Sequence, residues 1–402
     1  MKEEIKIVSF QRNKQGMYDL TFLSLEEAEK VHNFHSSFPM YQKTPLNELK
    51  NTARALGLAT VYIKDESFRF GLNAFKVLGG SYAIGDYIAC KLGADIRELP
   101  YEKMVSQEVR TKLGELTFVT ATDGNHGRGV AWTANQLKQH SVVYMPKGSA
   151  DERLDNIRAE GAQAFITDLN YDEAVRLANR KAEENGWIMV QDTAWDGYED
   201  IPRWIMQGYG TMGYEVYDQL PEKPTHIFLQ AGVGSMAGAI TGFFASLYGE
   251  ERPIITIVEP DKADCLFRTA QANDGGLHLV TGQMDTIMAG LACGEPCSIA
   301  WQVLKNYADH FISCPDYVAA KGMRILGNPS QGDERVISGE SGAAAFGCVA
   351  EILTNPACKN IKERLQLNEN SRVLFFSTEG DTDRENYREV VWDGKYPSGM
   401  SR

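Results

Sequence analysis

Short apolar runs alternate with longer stretches of helical period along most of the chain. The runs are rich in β-branched and aromatic residues, as is typical of buried strands. The predicted strands are 61–63, 117–120, 141–145, 164–166, 188–191, 226–229, 254–258 and 373–377. The predicted helices are 128–139, 151–160, 171–185, 205–219 and 237–248. This alternation predicts an α/β fold with mainly parallel sheets covered by helices on both faces.

One apolar stretch could be mistaken for a membrane span. Residues 227–248 carry no charge and are long enough to cross a bilayer, and Gly234, Gly238 and Gly242 have the spacing of small residues in membrane helix pairs. However, 227–229 is strand-like and enters a glycine-rich turn at Gly232. We therefore expect a buried strand, a loop and a core helix, and no membrane partner.

The length, net charge and cysteine content indicate the number of domains, the kind of partner and the cellular compartment. A chain of 402 residues exceeds one ordinary hydrophobic core, so two domains, or one large domain with an insertion, are expected. Candidate boundaries, both soft, are 91–112 and 192–203. The net charge of −13 argues against a nonspecific nucleic-acid partner. The first residues lack a secretory signal, and the seven cysteines are scattered and odd in number, which favours a reducing cytoplasm.

Lys76 lies in the segment Asn-Ala-Phe-Lys-Val-Leu-Gly-Gly, residues 73–80. Its neighbours Phe75, Val77 and Leu78 are unusual for a lysine on a solvated surface, which is the ordinary alternative. An apolar setting lowers the pKa of a lysine amine and makes the amine nucleophilic, as Schiff-base chemistry requires. Lys76 is therefore the first candidate catalytic residue.

Two further polar segments follow predicted strands. Thr-Ala-Thr-Asp-Gly-Asn-His-Gly, residues 120–127, opens a helix, where backbone N–H groups can face an anion. Asp123 could accept a proton there, and Asn125 could bind a phenolate oxygen; the alternative is a plain capped turn. Asp192, after the strand 188–191, is a second candidate carboxylate.

A glycine-rich loop follows the strand 226–229. Its glycines, Gly232 and Gly234, allow close approach of the backbone to a phosphate. The same loop, with Ala237 and with Glu259 at the end of the next strand, also fits the fingerprint of an NAD-binding oxidoreductase. That alternative leaves Lys76 and Asn125 unexplained.

The last predicted strand ends in two hydroxyl side chains, Ser377 and Thr378, which could hold a heteroaromatic nitrogen. His32 and His35 have the spacing of a helical metal-ligand pair, but nothing places an acidic ligand beside them. We therefore expect no metal.

These motifs, in this order, resemble those of the fold-type II pyridoxal-phosphate (PLP) enzymes, which include threonine dehydratases, serine racemase and the tryptophan synthase β-chain. The resemblance extends from about residue 38 to 383 and implies two domains, each with a mainly parallel twisted sheet flanked by helices. The implied bounds are 1–83 plus 200–402 for the large domain and 84–199 for the small one, with PLP in the cleft between them. It also implies a homodimer.

The resemblance implies a role for each matching residue. Lys76 would form the Schiff base with PLP, Asn125 would contact the 3′-oxygen, and Thr378, or Ser377, would face the pyridine nitrogen. A neutral hydroxyl there would leave the ring unprotonated. The phosphate would lie in the loop of Gly232, Val233, Gly234 and Ser235. Glu340 lies in a segment that resembles a glutamate-bearing loop near the cofactor of dehydratases.

Departures from the common pattern favour one subgroup, the diaminopropionate ammonia-lyases. Asp123 stands where dehydratases have a serine base, and residues 70–76 and 191–198 also resemble that subgroup. A carboxylate can pair with the second, cationic amine of diaminopropionate and can also accept the α-proton. The resemblance implies elimination to pyruvate and two ammonia through aminoacrylate. Asp123, Asp192 or Lys76 itself would remove the α-proton, and the resemblance suggests that Asp123 acts on the D- and Asp192 on the L-enantiomer. A serine or threonine dehydratase is the nearest alternative.

Overall fold

The computed structural model describes residues 4–10, 18–122 and 124–397. Its strands, numbered in chain order, are β1 (Lys6–Ser9), β2 (Leu46–Glu48), β3 (Thr60–Asp65), β4 (Thr117–Ala121), β5 (His140–Met145), β6 (Gln163–Ile166), β7 (Ile188–Met189), β8 (His226–Gln230), β9 (Ile254–Pro260), β10 (His310–Cys314) and β11 (Arg372–Ser377).

Its α-helices are α1 (Leu25–Ser36), α2 (Lys50–Leu56), α3 (Val77–Leu92), α4 (Tyr101–Met104), α5 (Gln107–Leu113), α6 (Asn125–Gln136), α7 (Asp151–Ala159), α8 (Tyr171–Asn185), α9 (Asp200–Gln219), α10 (Ser235–Tyr248), α11 (Cys265–Ala272), α12 (Ser298–Tyr307), α13 (Asp316–Gly327), α14 (Glu340–Thr354), α15 (Lys359–Arg364) and α16 (Arg384–Val391).

The chain divides into two compact units. The first, which we call the large-sheet unit, takes the described residues of Met1–Ser24, Thr44–Phe68 and Glu215–Arg402. Its seven-stranded sheet has the order β1-β10-β9-β8-β11-β3-β2. The inner strands are parallel, and β1 and β2 are antiparallel edge strands. The carboxyl ends of β8 and β11 therefore lie side by side.

Helix α14 forms the centre of the large-sheet unit's core and is buried on nearly all sides. It is rich in alanine and glycine, so neighbouring helices approach it closely. A Cβ on Gly322 of α13 would lie 3.0 Å from the backbone of Gly347 in α14. Glycine residues lower the intrinsic helix propensity of α13 and α14, but they allow the two helices to pack closely. Phe346 on α14 packs edge-on against Phe375 of β11, which connects the helix layer to the sheet.

The second, or small-sheet unit, takes Leu25–Lys43 and Arg69–Tyr214. Its four parallel strands have the order β6-β5-β4-β7. Its alanine-rich helix α8 packs Ala174 and Ala178 against Val119 and Val142 of the sheet. The capping box of Asn170 and Glu173 begins that helix, which matches the predicted range 171–185.

The alternation of strands and helices and the parallel sheets predicted from sequence are confirmed. Residues 91–112, predicted to be loop-like, instead contain the end of α3 and most of the helices α4 and α5. Helix α9 begins at Asp200, five residues before the predicted start, because Pro202 lies in its first turn, where no N–H is needed.

The predicted domain boundaries stay a prediction. The small-sheet unit contains the predicted small domain 84–199 but also takes 25–43, 69–83 and 200–214. The uncharged stretch 227–248 forms most of β8, a loop and α10, as expected. In the described ranges, no helix combines the length and the apolar character needed to cross a bilayer.

Candidate active site

Lys76 stands at the start of α3, in the N-cap position. Two other helices of the small-sheet unit contact this turn through glycines. A Cβ on Gly129 of α6 would lie 2.8 Å from Cα of Val77, and a Cβ on Gly208 of α9 would collide with the carbonyl oxygen of Leu78. Since neither glycine can be enlarged without moving a backbone, the two contacts fix the position of the lysine backbone.

The Lys76 ammonium forms an ion pair with the Asp192 carboxylate. The partly positive end of a helix is a poor place for a cation, so the carboxylate provides the balancing charge. Burial by itself would raise the pKa of Asp192, but the charge of Lys76, the proximity of His126 and the hydrogen bond from Lys76 lower it to about 2. Asp192 is thus an ionised, nearly buried carboxylate at neutral pH.

Several hydrogen bonds fix the segment between β7 and Asp192. His126 Nε2 donates a hydrogen bond to the carbonyl oxygen of Val190 at 2.8 Å. The Gln191 side-chain oxygen accepts from Thr120 Oγ1 at 2.8 Å, across to the end of β4. The Gln191 backbone N–H donates to Tyr198 Oη at 2.8 Å. These bonds fix the direction of the Asp192 backbone.

The two remaining residues predicted in this unit belong to the segment between β4 and α6. Asn125 is the first residue of α6, as expected for a loop that opens a helix. Asp123 lies outside the described residues, so its predicted role as a base stays a prediction.

In the large-sheet unit, the loop between β8 and α10 forms a backbone cradle. A Cβ on Gly232 would lie 3.1 Å from Cys293 Sγ, and Gly234 has a φ of +97°, which favours glycine. The Val233 carbonyl accepts from Cys297 N at 2.8 Å, which holds the loop in place. Among the described residues, no acceptor faces the N–H groups of Gly232, Val233 and Gly234, and Ser235 begins α10.

The two hydroxyl residues after β11 have different partners. Ser377 Oγ donates to Ser338 Oγ at 2.8 Å, whereas Thr378 Oγ1 accepts from Gln230 Nε2 at 2.8 Å. Both side chains are buried. Because Gln230 ends β8 just before the glycine loop, Thr378 is the hydroxyl connected to that cradle.

Glu259, on which the NAD alternative depended, has another role. Its two carboxylate oxygens accept the backbone N–H groups of Leu266 at 2.9 Å and Phe267 at 2.6 Å. The side chain is buried and caps the first turn of α11. A carboxylate engaged in this way cannot bind a ribose without breaking the cap.

The histidines considered for zinc have other contacts. His35 is buried and contacts Thr211 Oγ1 at 2.7 Å and Ser81 Oγ at 2.9 Å. Within the residues that the structure describes, no group of three or more histidine, cysteine or acidic residues is arranged to hold a metal ion.

Comparisons with known proteins show the family of the chain. The model of the family described as pyridoxal-phosphate dependent enzyme matches residues 38–379. The chain is 52% identical to a diaminopropionate ammonia-lyase of Salmonella typhimurium over 94% of each chain. It is 50% identical to the diaminopropionate ammonia-lyase of Escherichia coli K12 over 93% of each.

The chain belongs to the pyridoxal-phosphate-dependent enzyme family.

Within this family the chain is also similar in structure to a solved ammonia-lyase. A crystal structure of the E. coli holo diaminopropionate ammonia lyase superposes with a TM-score of 0.92 at 46% identity, covering 98% of each chain. A crystal structure of maize serine racemase superposes at 0.69, with 19% identity and coverage of 93% of this chain and 97% of that one, which supports the fold alone. The predicted fold-type II architecture is confirmed.

The residues present fit the cofactor of this family. The glycine loop at the N-terminus of α10 offers backbone N–H groups that have no acceptor among the described residues, in the place where a helix favours a phosphate. A Cβ at Gly232 would lie only 3.1 Å from Cys293 Sγ and 3.2 Å from Cα of Leu291, so the loop is packed closely against this segment. The buried Thr378 hydroxyl, after the neighbouring strand, is of the type that can hold a pyridine nitrogen.

In each unit, some residues that hold the candidate site residues in place are not indicated by the sequence. His126 and Gln191 lie inside the segments 120–127 and 191–198, and Gln230 directly follows the predicted strand 226–229. Gly129 and Gly208 carry a signal, because glycine inside a helix costs stability unless a close contact requires it. The hydrogen bonds of the two glutamines depend on tertiary contacts that no local pattern indicates.

Glu340 is a buried carboxyl in the large-sheet unit, at the start of α14. It accepts a hydrogen bond from Asn386 Nδ2, and the nearby Glu379 accepts the N–H of Ser341 at 3.2 Å. Burial, and then the charge of Glu379, raise the pKa of Glu340 to about 7. This carboxyl is therefore half protonated near neutral pH.

We expect Glu340→Gln to stabilise the protein at alkaline pH. The folded carboxyl keeps its proton up to about pH 7, whereas the unfolded one loses it near its ordinary pKa of 4.5. Stability therefore falls as pH rises between these values, by about 3 kcal/mol in all. Urea unfolding should show the variant more stable than wild type near pH 8 and about equal near pH 4.5. Glu369→Gln, at an exposed position, is the control; equal pH dependence in all three proteins would contradict the assignment.

Proposed function

We propose that this chain catalyses the PLP-dependent α,β-elimination of ammonia from 2,3-diaminopropionate. Elimination gives aminoacrylate and one ammonia, and hydrolysis of the released aminoacrylate gives pyruvate and a second ammonia. The observation that carries the proposal is the pairing of Lys76 with the ionised, nearly buried Asp192. The names of the relatives from S. typhimurium and E. coli support the choice of substrate. An E. coli structure is described as a complex with an aminoacrylate-PLP azomethine reaction intermediate.

Bound PLP supplies a conjugated ring that accepts the electron pair left at the substrate Cα when its proton is removed. The role of Lys76 is to present its Nζ amine for attachment of that cofactor. The close contacts of Gly129 and Gly208 with the first turn of α3 hold Lys76 in place. An amine held in this way loses little freedom on reaction, which favours the attachment.

Asp192 provides a negative charge that can accept the α-proton and pair with the substrate's second amine. Its carboxylate is already ionised at neutral pH, so it can accept a proton at an Oδ atom without first losing one. The same charge can pair with the β-ammonium of the substrate, which a hydroxyl side chain would do less well. Asp192 would act on the L-enantiomer and Asp123 on the D-enantiomer, with one carboxylate for each face of the substrate.

The remaining residues would orient the cofactor. The loop Gly232, Val233, Gly234 and Ser235 would bind the phosphate through its N–H groups, and α10 would add the favourable end of its dipole. Asn125 would donate to the 3′-oxygen from the start of α6, and Thr378 would donate to the ring nitrogen.

We also propose a substrate class and a cellular setting for this enzyme. The substrate is a small amino acid, and the enzyme works as a homodimer in the cytoplasm. The excess of acidic residues and the scattered cysteines support that setting.

The test is the visible absorption of the purified protein before and after addition of 2,3-diaminopropionate, with pyruvate measured by a coupled assay. We expect a PLP band that changes on mixing while pyruvate accumulates. Serine and threonine are the comparison substrates. Pyruvate from serine, or oxobutyrate from threonine, without turnover of diaminopropionate would point to a dehydratase, and the absence of a PLP band would sink the proposal.

A further inference from the structure

Gln230 connects the ends of two neighbouring strands of the large-sheet unit. It is the last residue of β8 and only 1% exposed. Its side-chain nitrogen, Nε2, donates to the carbonyl oxygen of Phe376 and to Thr378 Oγ1, both at 2.8 Å. One amide group therefore holds the backbone and the hydroxyl at the end of β11.

The surroundings determine which way this amide points. A backbone carbonyl can only accept, so the Gln230 atom beside Phe376 must be the nitrogen. The second proton of that nitrogen then points to Thr378, whose oxygen accepts it. Gln230 Oε1 is buried and, within the described part of the chain, has no donor. A buried acceptor without a donor lowers the stability of the folded protein. An amide with only a structural role would be expected to have a donor for this oxygen.

The Thr378 hydroxyl is left with one proton to donate. Gln230 offers it only donors, and no other hydrogen bond joins Thr378 Oγ1 to the described residues. The threonine is 3% exposed, so bulk water is a poor acceptor for it. Its proton is therefore directed to an acceptor other than the described residues of the chain.

We propose that Gln230 is a positioning residue that fixes the Thr378 hydroxyl as the donor to the ring nitrogen of PLP. This rests on the proposed function, since the acceptor is the cofactor. Gln230 takes up one lone pair of the hydroxyl oxygen, and the single hydroxyl proton points to the ring nitrogen, which therefore acts as an acceptor and stays unprotonated. Because Gln230 also immediately precedes the glycine loop, the same side chain couples the position of Thr378 to the phosphate cradle.

The test uses the holoenzyme reconstituted with PLP labelled at the ring nitrogen, observed by nitrogen NMR. Gln230→Met has a similar length and removes both N–H donors. We expect the nitrogen signal of this variant to move toward that of a pyridine without a hydrogen bond, and PLP to bind roughly three- to tenfold more weakly, as for the loss of one hydrogen bond. Thr378→Val should give the same change in signal, and Thr378→Ser should retain the wild-type signal.

Thr256→Val is the packing control. Thr256 is buried in β9, next to β8, and its Oγ1 has no hydrogen-bond partner among the described residues, so the change should leave both readouts unchanged. A Gln230→Met signal equal to wild type, while Thr378→Val changes it, would overturn the role of Gln230 but leave the proposed function intact. Equal weakening of PLP binding by Thr256→Val would also overturn it. Failure of the wild-type protein to bind PLP would instead overturn the proposed function.

Discussion

Lys76→Ala is expected to lower the rate of elimination from 2,3-diaminopropionate by about 10⁴-fold or more. It should also abolish the visible absorption band of PLP attached to the lysine. The variant loses the amine to which the cofactor attaches. It also leaves Asp192 buried without its cation, so the pKa of that carboxyl should rise. Because an uncompensated buried charge is costly, the apoprotein should lose about 3 kcal/mol of stability. Activity, absorption and unfolding measured on one preparation would check all three.

Lys76→Arg is the matched variant that separates the two effects. A guanidinium can keep the pairing with Asp192 but does not form a Schiff base at neutral pH. We therefore expect it to retain most of the stability of the apoprotein while it is as inactive as Lys76→Ala. An alanine variant that turned over at the wild-type rate would exclude Lys76 from the chemistry.

Asp192→Asn is expected to lower kcat roughly 10²- to 10⁴-fold for one enantiomer of the substrate. Asparagine keeps the shape of the side chain and can still accept from Lys76, but it cannot hold the transferred proton. If each carboxylate serves one face, the L-enantiomer should lose most of its rate while the D-enantiomer loses less than about tenfold. Separate kcat measurements on the two pure enantiomers check this.

Two further variants test whether each carboxylate serves one enantiomer. Asp123→Asn should show the reverse preference, with the loss falling on the D-enantiomer. Asp196→Asn changes an exposed aspartate near Asp192 in the chain and should leave both rates near wild type. Equal losses for both enantiomers in Asp192→Asn would contradict the division between the two carboxylates.

The sequence predicted the alternation of strands and helices because that signal is local: each buried strand is a short apolar run between turn residues. It did not include β1, β2 or β10. β2 is a three-residue edge strand with only partial burial, so it has no apolar run to detect. Helix α3 was missed because it contains Gly79, Gly80 and Gly85, which lower helix propensity. The helices that contact these glycines come from elsewhere in the chain.

The candidate site was predicted in part. Lys76, Asp192 and the glycine loop were identified because unusual residue types follow strands, where ligands bind in parallel sheets. The pairing of Lys76 with Asp192 could not be predicted, since the two residues lie 116 positions apart. For Glu259 the sequence indicated the wrong role. Its spacing from the glycine loop suggested a residue that binds ribose, whereas its hydrogen bonds to the backbone of α11 show that it caps that helix.

The connectivity of the two units also bears on how the chain folds during synthesis. Strand β3 pairs in parallel with β11, about three hundred residues later, and the whole small-sheet unit after Arg69 is made between them. That unit can therefore fold on the ribosome while β3 still lacks its parallel neighbour β11. Until β11 emerges, β3 can pair only with the short edge strand β2, although all of its residues are buried in the folded protein. A nascent chain stalled before β11 should bind chaperones that recognise exposed apolar segments, and release after β11 should end that binding.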